Sequence, residues 1–351
     1  MNEHPVKQSC VHIIVPVYNP PEKLFRECLR SISEQSHKNF SCVLVDDGSA
    51  PETAALCDKT AVRDSRFTVI HKKNEGTAYA RRDGSLAALA DGAEYLVYID
   101  SDDTAEPEYI STILGKLLET NSDACFCGAN IVCNEKSNFP GWKPSPSESG
   151  TSEDRRGMLM SVLDIPHKRF GTRCTLWAGI YRISLLEGVD WEFTKVKIGQ
   201  DTLLSAQLML NARKATYLQD RLYNYVQNQT SAINATNTIN RWNYIIGAKY
   251  AVAEMIKRRI PEFDFTEYCA AIEAQEFNGL LDSLLNSGAN GRLLRNETDE
   301  CIRHIRNAMK TPNTLSQFPR SRHIGILVLK IAGLQTYRLY RLLLKGYRII
   351  R

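Results

Sequence analysis

The sequence has no run of about 20 apolar residues, the length that a helix needs to cross a bilayer. Its longest apolar stretch, Ile324 to Leu334, is short and is interrupted by Lys330. The opening residues, MNEHPVKQSC, carry no long apolar segment after their charges, so the sequence predicts no secretory signal. These absences predict a cytoplasmic protein without a transmembrane helix.

The CxxC motif is absent too, because none of the ten cysteines is followed by another cysteine three positions later. Zinc sites usually combine such pairs with matched partners. The three closest cysteines, Cys125, Cys127 and Cys133, are separated by two and six positions, which places them on one face of a predicted strand. We therefore expect reduced cysteines in the core rather than zinc ligands, in keeping with a reducing compartment.

Acidic residues are missing from Cys301 to Arg351, where eleven lysines and arginines occur. The formal net charge of +4 therefore conceals a charge of 4 − 11 = −7 on the first 300 residues. Five basic residues of this segment share one helical face: Lys330, Arg338, Arg341, Lys345 and Arg348.

This pattern predicts that residues 324–351 form a basic amphipathic helix on an anionic membrane surface. We accordingly expect a peripheral position on the inner face of the cell membrane. The alternative is a terminal helix docked on the body or a helix that pairs in a dimer, so a homo-oligomer stays open. Nucleic acid is not expected as a partner, because no recognition motif accompanies the charge.

Strand and helix patterns alternate over the first hundred residues. The predicted strands are 11–17, 40–45, 67–71 and 94–99, with helical segments between them. This order predicts an α/β protein with a Rossmann-like, mostly parallel sheet flanked by helices. The length of 351 residues suits about two domains, and a helical pattern from Arg241 to Met309 predicts a C-terminal helical extension.

No GxGxxG motif follows the first strand, which argues against an NAD-dependent dehydrogenase. A nucleotidyltransferase is also disfavoured, because no glycine-rich basic loop opens the chain. Polar residues do follow three predicted strands, at Tyr18-Asn19, at Asp46-Asp47 and at 100–103. Ligands of open parallel sheets bind beyond the carboxyl ends of the strands, so we expect a single site there.

The pair Asp100 and Asp102 suits a divalent metal. Two carboxylates at i and i+2 in a turn can face one point, and Mg²⁺ or Mn²⁺ prefers oxygen ligands while it bridges diphosphate oxygens. Taken alone, the motif is more often a solvated acidic turn that caps the next helix.

Three further side chains have two readings each. Arg81 is either a surface arginine or a residue that grips a diphosphate through paired donors, and its neighbour Arg82 competes for the second role. Asp201 precedes an apolar helical run and is either a helix N-cap or a general base for an acceptor hydroxyl. Trp177 could stack on a sugar ring or pack in the core.

These segments occur in a fixed order that resembles the family 2 inverting glycosyltransferases of the GT-A fold, of the bacterial cell-surface polysaccharide type. The matching segments are IIVPVYN (Ile13–Asn19), VDDGS (Val45–Ser49), NEG with ARR (Asn74–Gly84), DSDD (Asp100–Asp103), GQDTLL (Gly199–Leu204) and LYNY to Ser (Leu222–Ser231). The resemblance covers about residues 11 to 231.

The resemblance implies a nucleotide diphosphate sugar as donor, with UDP favoured, and a glycan or lipid-linked acceptor. The implied donor contacts are Pro16, Tyr18, Asp46, Asp47, Arg81, Asp100 and Ser101. The resemblance also implies that Asp102, with Asp100, binds Mn²⁺ or Mg²⁺ and that Asp201 is the general base. Trp177 and Gln200 are the implied acceptor contacts.

The chain is thus predicted to have four parts. The resemblance implies a nucleotide-sugar half (1–105) and an acceptor half (106–231), and the helical pattern and the basic charge predict a helical extension (232–319) and the basic tail (320–351). Two residues depart from the family pattern. Gln200 stands where glutamate is usual, and Arg82 stands where asparagine is usual. Gln200 is the only support for an alternative, a catalytically lapsed protein that binds nucleotide sugars.

Overall fold

The computed structural model describes residues 10–133, 149–162, 175–194, 199–227 and 238–262. The chain divides into two compact units, Met1–Ala235 and Thr236–Arg351. Within the described ranges, no helix combines the length and the apolar character that a membrane span requires. The predicted basic helix at 324–351 lies outside the described residues.

The first unit alternates strands and helices. Its strands are β1 (Val11–Val17), β2 (Phe40–Asp46), β3 (Phe67–His71), β4 (Tyr95–Tyr98), β5 (Thr104–Ala105), β6 (Ala124–Cys133), β7 (Gly150–Ser152), β8 (Gly179–Arg182) and β9 (Ala215–Gln227). Its helices are α1 (Glu22–Ser33), α2 (Pro51–Arg63), α3 (Thr77–Ala90), α4 (Tyr109–Thr120), α5 (Arg155–Val162) and α6 (Gln200–Asn211), with short 3₁₀ turns at Ile183–Leu186 and Glu192–Thr194. The described part of the second unit contains helix α7 (Thr238–Arg259).

All nine strands form one sheet in the order β3-β2-β1-β4-β8-β6-β9-β5, with β7 also paired to β9. The α/β prediction is confirmed, and the four strands predicted in the first hundred residues are present. Those four strands are parallel to one another. Beyond them the sheet is mixed, because the late strand β8 enters between β4 and β6 and runs antiparallel to both.

Strand β1 is buried along its whole length, which explains its continuous apolar sequence. Val11, Ile13, Val15 and Val17 face one side and belong to the same core cluster as the buried face of α1. Ile14 points to the other side, where α3 covers the sheet. Helices on both faces therefore fix the position of the strand whose end carries Tyr18.

The predicted core cysteines of β6 are buried in this structure. Cys125 and Cys127 are free thiols, and the side chain of Cys133 lies outside the described residues. Burial raises the pKa of the Cys127 thiol to about 12. A thiol that stays protonated at neutral pH is a poor nucleophile and a poor metal ligand, so these two residues act as small apolar side chains.

Helix α3 approaches the sheet closely at Gly84. A Cβ atom at this position would lie 2.5 Å from Cγ2 of Ile14 and 3.1 Å from Cγ2 of Val45. Only glycine allows this distance between helix and sheet. Because Arg81 lies three residues earlier on the same helix, the close packing also sets how near its guanidinium comes to the carboxyl edge of the sheet.

We expect Gly84→Ala to lower the free energy of unfolding by about 1–3 kcal/mol, because the added methyl group must push Ile14 or the helix away. Gly115→Ala is the matched control, since Gly115 lies within α4 and a Cβ there meets nothing within 4 Å. That substitution should raise stability by about 0.4–1 kcal/mol. Urea unfolding of both variants measures the difference, and equal effects would contradict the close packing.

Candidate active site

The loops after β1 and β2 hold each other at the carboxyl edge of the sheet. The backbone N–H of Asn19 donates to Ser49 Oγ at 3.2 Å, and the Asn19 side-chain oxygen accepts from the backbone N–H of Ala50 at 2.8 Å. Tyr18 stands beside this contact and is 57% exposed. An aromatic ring so exposed on a fixed loop is available for stacking on a ligand.

Asp47 organises the loop that leads into α3. Its two carboxylate oxygens accept hydrogen bonds from the backbone N–H groups of Glu75 at 2.9 Å and of Gly76 at 2.8 Å. The Asn74 side chain donates to the Asp47 carbonyl oxygen, and Gly48 next to it has a positive φ of 75°. The Asp47 side chain is buried, so its observed role is structural; its contact with a nucleobase stays a prediction.

Asp46 is the second buried carboxylate of this turn. One oxygen accepts the backbone N–H of Ser49 at 2.9 Å, and the other lies 2.7 Å from His71 Nδ1. Burial by itself would raise the pKa of Asp46, but the hydrogen bonds from Ser49 and His71 outweigh burial and lower it. Asp46 is therefore an ionised anchor of the turn, and its predicted donor contact is untested.

The buried Arg81 forms an ion pair with Asp100, whose side chain is partly exposed. Arg81 Nη2 donates to Asp100 Oδ1 at 2.7 Å. Burial opposes the charge of Arg81, but the charges of Asp100 and Asp201 outweigh burial and raise its pKa. Among the described residues, the buried Nε of Arg81 has no hydrogen-bond partner, so a donor group is left over at this edge of the sheet.

The structure separates Arg81 from Arg82. Arg82 donates to Asp83 at 2.8 Å, and its guanidinium carbon lies 4.3 Å from the ring centroid of Tyr79. Arg82 is therefore occupied on the outer side of α3, whereas Arg81 points to Asp100. The arginine that belongs to the candidate site is Arg81.

Asp201 is the second residue of α6, and Gln200 is the first. The N-cap is Gly199, with a φ of 91°, so the interpretation of Asp201 as an N-cap is wrong. The first turn of a helix favours negative charge, so a carboxylate is well accommodated at this position. Its influence on the pKa of Arg81 places it near the Arg81–Asp100 pair.

The turn after β4 is fixed to β9 by Asp103, a residue to which the sequence analysis gave no role. Its buried carboxylate accepts the hydroxyl of Tyr223 and the backbone N–H of Val226, both at 2.8 Å. The Tyr223 hydroxyl also accepts the backbone N–H of Asp100 at 3.2 Å. Burial and the nearby charges of Asp100 and Asp102 raise the pKa of Asp103.

The donor set of this turn fits a divalent cation that is shared with a diphosphate. Asp102 and Ser101 are partly exposed, and Arg81 holds only one oxygen of Asp100. Three carboxylates within four residues repel one another, and a cation would relieve that repulsion. The described part of the chain has no cluster of three or more His, Cys, Asp or Glu placed to hold a metal. Mg²⁺ sites often use only one or two carboxylates, with phosphate and water completing the shell.

Trp177 packs against the tyrosines of β9. Its ring stacks on Tyr223 at 4.9 Å between centroids and on Tyr225 at 5.4 Å. It is partly buried beside the core cluster, so core packing is observed, and contact with an acceptor stays a prediction. Pro16 is buried inside β1 opposite Val45, and its donor contact is likewise untested.

Comparison with known proteins gives a family match over the first part of this edge, and α6 and β9 lie beyond the matched residues. Residues 12–176 match the model of Glycosyl transferase family 2. The glycosyltransferase GlyA of Streptococcus pneumoniae is 27% identical over 215 residues, which is 61% of this chain and 30% of GlyA. The putative glycosyltransferase EpsH of Bacillus subtilis is 28% identical over 230 residues, 63% of this chain and 61% of EpsH. The chain therefore spans less than two thirds of the length of these relatives.

Solved structures of similar fold include fragment 1–349 of Staphylococcus aureus TarS. It has a TM-score of 0.61 at 17% identity and covers 98% of this chain and 92% of the fragment. The same fragment has been solved with UDP-GlcNAc, at 18% identity and a TM-score of 0.61. This similarity confirms the predicted GT-A fold, a mixed sheet flanked by helices.

We expect Tyr223→Phe to lower the free energy of unfolding by about 1–3 kcal/mol, because Asp103 and the Asp100 N–H both lose a buried partner. Tyr109→Phe is the control: this buried tyrosine contacts the Tyr223 ring and donates one longer bond, 3.3 Å, to the Gly179 carbonyl. The free energy of unfolding should fall less in Tyr109→Phe than in Tyr223→Phe. Chemical denaturation of the two variants decides, and a larger effect at Tyr109 would disprove the anchoring role of Tyr223.

Proposed function

Residues 12–176 belong to glycosyl transferase family 2, and on that premise we propose that this protein is an inverting, metal-dependent glycosyltransferase. It transfers a sugar from a nucleotide diphosphate donor, and UDP is the favoured nucleotide. The acceptor is a glycan or a lipid-linked molecule in the synthesis of a surface polysaccharide. The observation that carries the proposal is the ion pair of the buried Arg81 with Asp100, together with the charge of Asp201, which raises the pKa of Arg81. Two solved relatives of similar fold support the donor and metal classes: TarS was solved with UDP-GlcNAc, and the mannosyltransferase PcManGT of Pyrobaculum calidifontis with GDP-Man and Mn²⁺.

The donor binds across the carboxyl edge of the sheet. Tyr18 offers an exposed ring to the nucleobase, and the turn held by Asp46 and Asp47 lies beside it. Arg81 faces the diphosphate with donor groups that Asp100 does not use, among them the unpaired Nε. When bound, Mg²⁺ or Mn²⁺ at Asp102 and Asp100 supplies positive charge to the departing diphosphate.

Asp201 takes the proton from the acceptor hydroxyl while the acceptor oxygen attacks the anomeric carbon. Attack comes from the face opposite the leaving diphosphate, so the configuration at that carbon inverts. One carboxylate at the reacting carbon suffices for this displacement, whereas glycoside hydrolysis uses two. Gln200 and Trp177 lie on the acceptor side, and Gln200 supplies no charge where the family usually has glutamate.

Attachment to the inner face of the cell membrane through residues 324–351 stays part of the proposal, although those residues lie outside the described ranges. The alternative function is a lapsed protein that binds nucleotide sugars without turnover. Gln200 alone favours it, while Asp100, Asp102 and Asp201 are all present.

The proposal predicts that the protein releases UDP from at least one UDP-sugar when Mn²⁺ is present. A chelator and Asp102→Asn should both abolish release, because the leaving diphosphate loses its counter-charge. Asp201→Asn should slow release by about 10²–10⁴-fold with donor affinity unchanged, since only proton removal is affected. A panel of nucleotide sugars with coupled UDP detection, and calorimetry on the same samples, measures both quantities.

Asp91→Asn is the control for these variants, because Asp91 pairs with His12 at the opposite edge of the sheet and should leave release unchanged. Metal-dependent binding without turnover of any donor would favour the lapsed protein. Absence of binding for every nucleotide sugar would reject the transferase.

A second prediction uses the adjacent arginines. Arg81→Lys keeps the charge but loses the planar guanidinium, so the affinity for the UDP-sugar should fall. A hydrogen bond to a charged group contributes about 1.5–3 kcal/mol, which corresponds to roughly ten- to hundredfold in the dissociation constant. Arg82→Lys should leave the constant unchanged, because Arg82 contacts Asp83 and Tyr79. Equal losses in calorimetric titrations of the two variants would show that Arg81 has no special contact with the donor.

A further inference from the structure

His71, the last residue of β3, joins two carboxylates. Its Nδ1 lies 2.7 Å from Asp46 Oδ2, and its Nε2 lies 3.0 Å from Asp58 Oδ1. Ionised carboxylates only accept hydrogen bonds, so both ring nitrogens must donate. The geometry therefore requires the doubly protonated imidazolium, which is the form of histidine with two N–H groups.

The surroundings of His71 favour that charged form. Strand β3 packs against β2 and α2, and these elements present Asp46, Asp58 and Cys57 to this region. Hydrogen bonds to Asp58 and then Asp46 raise the pKa of His71 above its ordinary value of 6.5. The Cys57 thiol is neutral there, because burial raises its pKa to about 12. Lys72, the next residue, is directed to Glu75 and Asp83 instead.

The two carboxylates differ in their freedom. The Asp46 side chain is 4% exposed and cannot turn away, whereas that of Asp58 on α2 is 60% exposed. A neutral imidazole has a single N–H, which stays with the buried Asp46. Loss of the proton therefore breaks the link to α2 and removes the positive charge next to Asp46.

Asp46 passes this effect to the loop that carries Tyr18. Its other oxygen holds the backbone N–H of Ser49, and Ser49 Oγ accepts the backbone N–H of Asn19. A continuous series of hydrogen bonds thus runs from His71 through Asp46 and Ser49 to the residue that follows Tyr18. This series connects His71 to the turn that borders the proposed nucleobase site.

We propose that His71 is a positioning residue for the nucleotide sugar: its imidazolium holds Asp46 and the Ser49 turn in place, so donor affinity falls when His71 loses its proton. The inference rests on the proposed function, because Tyr18 and Asp46 are proposed donor contacts. His71 itself need not touch the donor. Its outer partner, Asp58, is then a tuning residue that sets the pH at which affinity changes.

The experiment is a calorimetric titration of UDP-N-acetylglucosamine over a pH series from acid to mildly alkaline, at constant Mn²⁺. A UDP-sugar is suitable because its diphosphate has no terminal phosphate proton to lose in this range. The dissociation constant should rise about five- to tenfold as the pH increases, with a midpoint above 6.5. Asp58→Asn should move the midpoint to lower pH, because the imidazolium loses one of its two anionic partners.

His71→Asn should remove the pH dependence, with the weaker affinity at every pH, because asparagine donates to Asp46 but carries no charge. His37→Asn is the matched control: His37 contacts the Asn39 carbonyl just before β2 begins, at the far edge of the sheet, and its loss should leave the profile intact. Asp58→Asn distinguishes this role from a structural one. A loss of structure in His71→Asn cannot explain a lower midpoint in a variant that still contains His71.

A wild-type protein that binds the donor with a flat pH profile, or an unmoved midpoint in Asp58→Asn, would overturn the role of His71 and leave the proposed function standing. If the wild type fails to bind any UDP-sugar at any pH, the proposed donor is wrong and the inference fails with it. A profile that flattens in His37→Asn as well would assign the effect to another group.

Discussion

A positive charge is buried at the carboxyl edge of this sheet, and much of the surrounding structure serves to keep it there. Removing a guanidinium from water is costly unless a carboxylate compensates for it, and Asp100 does so for Arg81 at 2.7 Å. The pair needs both partners at fixed positions. Gly84 lets α3 come close enough to deliver Arg81, and Tyr223 holds the backbone of Asp100 from the other side. The ion pair thus depends on three elements: helix α3, the turn after β4 and the distant strand β9.

The sequence predicts the first half of the fold well, because β1, β2 and β4 are compact apolar runs whose residues are almost all buried. The bounds of β1 and β3 are those expected from VHIIVPV and FTVIH. Strand β8 could not be placed in the same way. Its four residues, GIYR, have no periodic pattern of their own, and they lie between β4 and β6 because of pairings with residues 53 to 87 positions away.

Prediction of the site was uneven for a similar reason. Motifs identify which residues are unusual: Arg81 pairs with Asp100, and the charge of Asp201 acts on Arg81. Motifs do not show which oxygen meets which N–H. The sequence therefore suggested ligand contacts for Asp47, whose oxygens are used by Glu75 and Gly76, and an N-cap role for Asp201, which Gly199 fills instead.

The bond between Asp103 and Tyr223 joins residues 120 positions apart, and this separation has a consequence for synthesis on the ribosome. The first four strands have all left the ribosome before β9 is translated, and they pair with one another. The DSDD turn, however, has no partner for its buried carboxylate until Tyr223 and Val226 emerge. Contacts between distant residues form late because closing a long loop is entropically costly. A nascent chain that stops before residue 215 would thus contain the parallel strands and lack a finished edge.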